Sequence, residues 1–437
     1  MSETQAKTFT SNRFARITSG FHALRVRNFR LFVIGQGISL IGTWMQTTAQ
    51  AWLVIQLTDS PFALGFVTTL QFLPVMILSL YGGVLADRLP KRRTLIVTQS
   101  LLLIQAAIFG TLVATGTIQL WHVYILAMCQ GLVQAIDIPV RQSFFVEMVG
   151  REELSNAIAL NSMTFNGARI IGPALAGVLI AKIGIAPALI LNALSFIAVI
   201  TGLIMMRESE LHALPKRKRE PVMRQLREGL DYAWRTPQIR VIIIALAALG
   251  TFGYNFTVTL PMIANFVLHT DASGYGLLSA SFGIGALIAA IATAYIKRVT
   301  VQRMLIGGAA FSVLLGIVSF SPIFLLSAAI MAGVGISSII FSTSTNTLMQ
   351  LTTPDELRGR VISLNVLLIG GSTPIGGFLT GFMADRLGVP FALFACALVC
   401  AIGIVVAYVY QRQPAYQNAP DPRAEAALTA NPVAGDR

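Results

Sequence analysis

The sequence predicts an all-α membrane protein with twelve transmembrane helices in two six-helix pseudo-repeat bundles. Three observations predict it. First, the 437 residues are 55% hydrophobic and only 12% charged, with a mean hydropathy of +0.71, whereas a soluble domain carries about 25% charged residues. Second, the apolar residues fall in runs near the ~20 that cross a bilayer. Third, the basic residues alternate between successive connections, as they do in a chain that weaves through a membrane.

The apolar runs lie at 31–54, 63–85, 95–114, 121–141, 158–181 and 185–206, then at 240–268, 274–296, 303–320, 322–349, 360–384 and 389–411. The ninth and tenth are parted only by Ser321-Pro322. The first thirty residues are polar and basic, and no small-residue cleavage site follows the first run, so that run reads as a retained span. Five regions follow: a cytoplasmic segment 1–30, a six-helix bundle 31–206, a linker 207–239, a second bundle 240–411, and a tail 412–437 whose composition predicts disorder.

With the N-terminus placed in the cytoplasm, every even-numbered connection is cytoplasmic. All 32 Lys and Arg then fall in those connections or the two tails except Arg169, Lys182 and Arg386. One missed or extra helix would scramble that alternation. It predicts both termini on the cytoplasmic side of the cell membrane. The net charge of +13 is thereby explained by topology, and no nucleic-acid partner is expected. In the linker, Pro215-Lys216-Arg217-Lys218-Arg219 is expected to lie against anionic lipid headgroups. Beyond it, Val222, Leu226, Leu230 and Trp234 recur at helical spacing with Arg224, Arg227 and Arg235 between them. That pattern predicts a short amphipathic helix on the cytoplasmic face.

The halves echo each other. Arg25–Arg30 matches Arg235–Arg240, Glu153-Leu154 matches Glu356-Leu357, and Gly172-Pro173-Ala174-Leu175-Ala176-Gly177 matches Thr373-Pro374-Ile375-Gly376-Gly377. Two repeats suit rocking around a site near the bilayer midplane.

Between the second and third spans stands Gly83-Val84-Leu85-Ala86-Asp87-Arg88-Leu89-Pro90-Lys91-Arg92-Arg93. Gly83 permits close helix approach, and Asp87 suits the positive N-terminal end of a neighbouring helix. Here the sequence resembles the major facilitator superfamily, whose signature in this loop reads G-x-L-a-D-r-x-G-r-k; Pro90 replaces the usual glycine. A second stretch, Gly381-Phe382-Met383-Ala384-Asp385-Arg386-Leu387-Gly388, looks like the same signature at the outer side. Asp137-Ile138-Pro139-Val140-Arg141, Leu154-Ser155-Asn156-Ala157 with Asn161, and Arg169-Ile170-Ile171-Gly172-Pro173 resemble the enterobactin-exporter and drug:proton antiporter branch. The resemblance covers about residues 20–410. It implies the major facilitator fold, export of a small molecule by alternating access, and the proton gradient as energy source, with no cofactor.

Several residues are candidates for function. Arg169 lies near mid-bilayer, where an arginine costs roughly 2.5–3.5 kcal/mol unless it faces a polar interior. It reads either as a substrate contact or state switch, or as a structural hydrogen bond to backbone or Asn166. Gly172-Pro173 removes a helix hydrogen bond and favours a bend. Asp137 and Arg141 are spaced to pair on one helix face, as a gate network with Asp87 and Arg88 or as a static anchor. Gln46, Gln50, Gln71, Gln130, Gln134, Tyr254, Asn255, Ser342 and Asn346 are polar residues within spans. Their equivalents line the cavity in the superfamily; each also suits an interhelical hydrogen bond. Thr353-Pro354-Asp355-Glu356 reads as a capping box opening the eleventh helix.

Other chemistry finds little support. Cys129, Cys396 and Cys400 lie inside apolar runs as packing residues. The four histidines are scattered near loops, so no metal site is expected. The spans hold no acid pair or Ser-His set suited to catalysis. A monomer embedded in lipid, acting on a small-molecule substrate, is the expected form. Import or lipid flipping by the same fold, or a non-transporting scaffold, remain the alternatives.

Overall fold

Hydrocarbon offers a backbone no hydrogen-bond partners, so an apolar run satisfies its N–H and C=O groups by coiling on itself. The computed structural model describes residues 22–212, 222–294 and 299–418, without the side chains of 79–88, 222, 223, 225, 226, 294, 355 and 356. Among the described residues every regular element is a helix.

Among the described residues, ten helices are long and apolar enough to cross a membrane. They are the second to sixth spans (Pro61–Arg88, Lys91–Ala114, Leu120–Val149, Leu154–Ile183, Ile185–Ile204) and the eighth to tenth (Ala272–Ala294, Val301–Val318, Phe324–Thr352). The eleventh (Leu357–Leu387) and twelfth (Val389–Gln411) complete the ten. The other two predicted passages are helical but less simple. The first, Arg27–Thr58, is 32 residues long and diluted by Gln36, Gln46 and Gln50. The seventh is predicted as one continuous run but is broken: Pro237–Ala248 enters a π-turn at Leu249–Gly253, and the helix restarts at Phe256–Met262. Period alone does not reveal such a break, because both pieces keep an apolar composition.

Local chemistry explains the ends. Ser319 closes the ninth span and the tenth begins only at Phe324, so Ser321-Pro322 does separate two helices. The N-cap expected at Thr353 falls instead at Pro354, which makes no side-chain cap bond, and Thr353 Oγ1 donates back to the Met349 carbonyl at 2.6 Å; the Glu356 side chain of the expected capping box lies outside the described residues. Asp271 caps the eighth span instead, its Oδ1 accepting from Ser273 Oγ at 2.6 Å and the Gly274 N–H at 3.0 Å. These two donors hold its carboxyl below the usual range. The amphipathic helix forms at Val222–Arg235 and meets Pro237–Gly253 at 110° across Thr236. The residue before a proline avoids the helical region, and Thr236 is extended. Gly229 and Ala233 of this helix are buried while Leu230 and Trp234 are exposed. In the tail, Pro414–Gln417 makes one helical turn; residues 1–21 and 419–437 lie outside the described residues.

The packing has an internal symmetry. The second span lies along the fourth and the eleventh, and the eighth along the tenth and the fifth. The first contacts the sixth as the seventh contacts the twelfth, and the third lies on the sixth as the ninth lies on the twelfth. The two helix groups meet at two glycine crossings. A Cβ on Gly65 would fall 2.3 Å from the Gly377 carbonyl oxygen and 3.0 Å from Gly381 Cα. One on Gly177 would fall 2.8 Å from the Ala272 oxygen and 3.0 Å from Gly276 Cα. Only glycine allows such backbone proximity.

Both crossings lie toward the end bearing the turns near 59, 270 and 388, here the far end. More ties join the groups there: Asn265 Nδ2 donates to Asp59 Oδ1 at 3.2 Å, and Ser60 Oγ to Asp385 Oδ1 at 3.4 Å. Trp52 stacks on Tyr275 at 6.4 Å. The opposite, basic end is tied differently. Lys91 pairs with Glu147 at 2.5 Å, and Arg92 with Glu208 at 2.5 Å. Arg92 also donates to the Leu203 and Ile204 carbonyls at 2.6 and 2.8 Å, occupying acceptors left open where the sixth span ends. Across the linker, Arg360 pairs with Glu228. None of these pairs joins one helix group to the other: Lys91–Glu147 lies within the first, and Glu208 and Glu228 are linker residues.

Candidate functional site

Successive helical residues are turned by about 100°, so known contacts on one span fix where its other side chains point. On the fifth span, Gly172 faces the first, with its Cβ position 2.5 Å from Trp44 Cβ. The Pro173 carbonyl and Gly177 face the eighth. On the outer arc between those contacts, Ile171, Leu175 and Val178 are exposed as lipid-facing residues should be. The opposite arc carries Ser162, Phe165, Asn166 and Arg169. It points between the two helix groups, and Phe165 is 42% exposed there. Polar side chains exposed in mid-span belong on an aqueous cavity.

Arg169 is the centre of that arc. Its guanidinium carbon lies 5.5 Å from the centroid of Phe282 on the eighth span, within cation–π range. Its Nε is buried with no hydrogen-bond partner, and among the described residues Arg169 forms no ion pair. Four residues on, Pro173 has no N–H to offer the Arg169 carbonyl. Helix continues through Gly172 and Pro173; the glycine serves the close approach to Trp44.

Tyr254 approaches from the other group, close enough to interact electrostatically with Arg169. It sits at the break in the seventh span. Its hydroxyl donates to the Ser338 carbonyl at 3.0 Å, and its ring packs edge-on against Phe311 and Phe341 at 5.5 and 6.3 Å. Asn255, beside it, is buried: Nδ2 donates to the Thr251 carbonyl at 2.5 Å, and Oδ1 has no partner. The adjoining π-turn, Leu249–Gly253, meets a second one at Leu367–Gly371, where a Cβ on Gly250 would fall 2.2 Å from the Leu368 oxygen. Such π-turns are frequent at functional sites. On the tenth span Asn346 is exposed, with Thr343 and Gln350 on the same side, and accepts from Gln350 Nε2 at 2.9 Å.

On the fourth span, Gly131 faces the second span and Asp137 the third. Gln134, Ile138 and Arg141 lie on the arc that looks inward, with Ile138 40% exposed. The Asp137–Arg141 pair forms. Asp137 is also buried against the third span, accepting from Thr98 Oγ1 at 2.6 Å and Gln99 Nε2 at 2.8 Å. The proposed network partners Asp87 and Arg88, with Gly83, have side-chain positions outside the described residues. Lys91 and Arg92 are engaged within their own helix group, as described above.

The remaining glutamines are placed away from the inter-group arcs. Gln46 is 1% exposed. Its Nε2 donates to Gln105 and Gln130, both at 3.3 Å, and its Oε1 accepts from Asn192 at 2.7 Å. Gln50 Nε2 donates to Gln71 Oε1 at 3.3 Å. Gln46, Gln50, Gln71 and Gln130 therefore clamp the first span to the second, third, fourth and sixth. This is the interhelical alternative the sequence left open. Gln105 and Asn192 of this network escaped sequence reading, although each is a polar residue within an apolar run. Phe165, Trp44 and Phe282 escaped it for a different reason: an aromatic in a span carries no signal of which way it faces.

A bundle of apolar helices whose polar arcs turn toward a shared interior is the architecture of a multi-pass membrane protein. A family model described as a transmembrane secretion effector, MFS_3, matches residues 18–436, and the chain belongs to that family. Relatives include the staphyloferrin A transporter of Staphylococcus aureus (strain NCTC 8325 / PS 47), 26% identical over 85% of this chain and 94% of that one. The multidrug efflux pump Tap of Mycolicibacterium fortuitum is 27% identical over 86% and 92%. The enterobactin exporter EntS of Citrobacter koseri is 25% identical over 86% and 90%. Among solved structures, a bacterial homolog of the human lysosomal transporter Spinster, inward-facing and unoccupied, aligns with a TM-score of 0.69 at 12% identity, covering 90% of this chain and 97% of that one. The nucleoside transporter NupG aligns at 0.68 and 11%, covering 88% and 99%. These two likenesses concern the fold alone.

Proposed function

We propose that the protein is a secondary active exporter that carries a small drug- or siderophore-like molecule across the cell membrane by alternating access. The observation that carries this reading is the asymmetry of the two ends. The helix groups touch through paired glycine crossings at the far end, while polar arcs bearing Arg169, Gln134, Tyr254 and Asn346 turn toward each other nearer the basic end. The basic end is cytoplasmic by the positive-inside rule, so the cavity opens to the cytoplasm in this state. Residues 31–206 and 240–411 are the two rocking units, and a monomer suffices because the cavity lies between them. The relatives named for efflux or export support the outward direction. Proton antiport supplies the energy: Asp137 and Arg141, with Asp87 and Arg88, form the gate network at the cytoplasmic end.

The test uses everted membrane vesicles and a panel of radiolabelled drug- and siderophore-like compounds. At least one is expected to accumulate when the vesicle interior is acid, and to stop on collapse of the pH gradient. Arg169→Ala is expected to abolish accumulation with normal membrane insertion. Accumulation that survives gradient collapse would exclude antiport, and full transport by Arg169→Ala would remove that residue from the path.

A further inference from the structure

We propose that the transported molecule is an aromatic anion, with its acid group received by Arg169 and its ring by Phe165 and Trp44. This rests on the cavity reading given above. A guanidinium within the span has to be compensated, and each way of doing so can be followed in the structure. An internal carboxylate is missing: Asp137 is the only acid well inside a span, and it is committed to Arg141, Thr98 and Gln99. A backbone or side-chain acceptor is missing too, since Nε is buried and unpaired and no hydrogen bond to Arg169 forms among the described residues. Among the described residues the Phe282 face lies under the guanidinium, and Tyr254, nearby, donates its hydroxyl proton to the Ser338 carbonyl and carries no compensating charge. A ring quadrupole attracts a cation but does not neutralise it. The forked donors of arginine match a carboxylate or similar oxyanion bidentately, and such an anion completes the site.

The ring half of the ligand follows from the neighbouring arc. Phe165 lies one helical turn before Arg169 and is 42% exposed in a position turned away from lipid. Trp44 of the first span packs edge-on against it with ring centroids 5.8 Å apart and is itself partly exposed. Two aromatic faces beside one uncompensated cation select a molecule that is flat and apolar on one side and anionic on the other. A cationic amphiphile would meet Arg169 with like charge, and a neutral one would leave the guanidinium unpaired.

The test measures equilibrium binding of four probes to the purified full-length protein in nanodiscs. They are 2-naphthoate, its alcohol 2-naphthylmethanol, cyclohexanecarboxylate, and 2-naphthyltrimethylammonium. Charge-assisted hydrogen bonds predict that naphthoate binds roughly tenfold to a hundredfold tighter than the alcohol, with the ammonium weakest. Arg169→Gln should erase the preference for acid over alcohol, and Arg169→Lys should retain part of it. Phe165→Leu should weaken naphthoate while leaving cyclohexanecarboxylate unchanged, which gives a second reading should the arginine variants fail to fold. Equal binding of acid and alcohol, an acid preference that survives Arg169→Gln, or no binding of naphthoate to the unaltered protein overturns the proposal. Maleimide labelling separates this failure from failure of the cavity. If Ser162→Cys and Asn346→Cys react from the basic end while naphthoate is ignored, the cavity stands and only the substrate class falls. If neither reacts, the cavity reading falls with it.

Discussion

At the scale of single residues, charge placement tells more than charge count. Arg169 and Asp137 are both ionisable groups inside apolar spans, yet their surroundings differ. Asp137 has an acceptor role for every neighbour it meets: Arg141 on one oxygen, Thr98 and Gln99 on the other. Removing one partner of a buried pair strands the other. Asp137→Asn should therefore lower stability by ~1–3 kcal/mol, the cost of leaving a partly buried donor unsatisfied, read as an earlier thermal unfolding midpoint in detergent. Arg141→Gln added to it should recover part of the loss. A double variant no better than the single would mean that the pair is not what Asp137 contributes. The sequence revealed both charges and the i,i+4 spacing of the pair. It could not reveal the hydrogen bonds from Thr98 and Gln99, because those come from another helix whose rotation is set by packing. The same limit explains the glutamines: Gln46 and Gln134 look alike as polar residues within spans, but Gln46 is buried and joins four helices while Gln134 is only partly buried.

At the scale of elements, the spans were legible because the bilayer imposes a length and a composition on them. The seventh was legible as apolar but not as broken, since π-turns at Leu249–Gly253 and Ile263–Val267 leave hydropathy unchanged. The close crossings were only hinted at by isolated glycines. They carry a sharp expectation. Gly65→Val adds atoms where even a Cβ would lie 2.3 Å from the Gly377 oxygen, so the second and eleventh spans should be unable to close at the far end. A cysteine at Ser60 should then label several times faster from outside in that background. Unchanged labelling would mean the crossing is not a closure. The linker helix responds to pH instead. The hydrogen bond from Arg224, reinforced by the charge of Arg360, holds the Glu228 carboxyl below its ordinary value. A depressed carboxylate stabilises above its unfolded value, and that contribution is lost as pH falls through the folded one. Hydrogen-exchange protection in residues 224–235, taken relative to the intrinsic rate at each pH, should thus fall on acidification into the low carboxylate range and not between pH 6 and 8. Protection indifferent to acid would mean the Glu228–Arg360 tie does not hold the helix.

At the scale of the whole molecule, two groups of helices related by their packing pattern meet firmly at one end. Glycine crossings and polar ties at Asp59, Ser60 and Asp385 close the far end, while the basic-end pairs Lys91–Glu147, Arg92–Glu208 and Arg360–Glu228 do not join one group to the other. On the alternating-access function proposed above, such a geometry is one of two states, and closing the basic end has to open the far one. Spin-label distances in nanodiscs test this most directly. One pair, at Thr117 and Phe320, spans the far end, and another, at Arg151 and Gln302, spans the basic end. The account predicts two populations at each pair, exchanging in opposite senses, with the far-end pair shorter when the basic-end pair is longer, and both shifting when the pH is changed or a transported compound is supplied. A single fixed distance at both ends under every condition would contradict it.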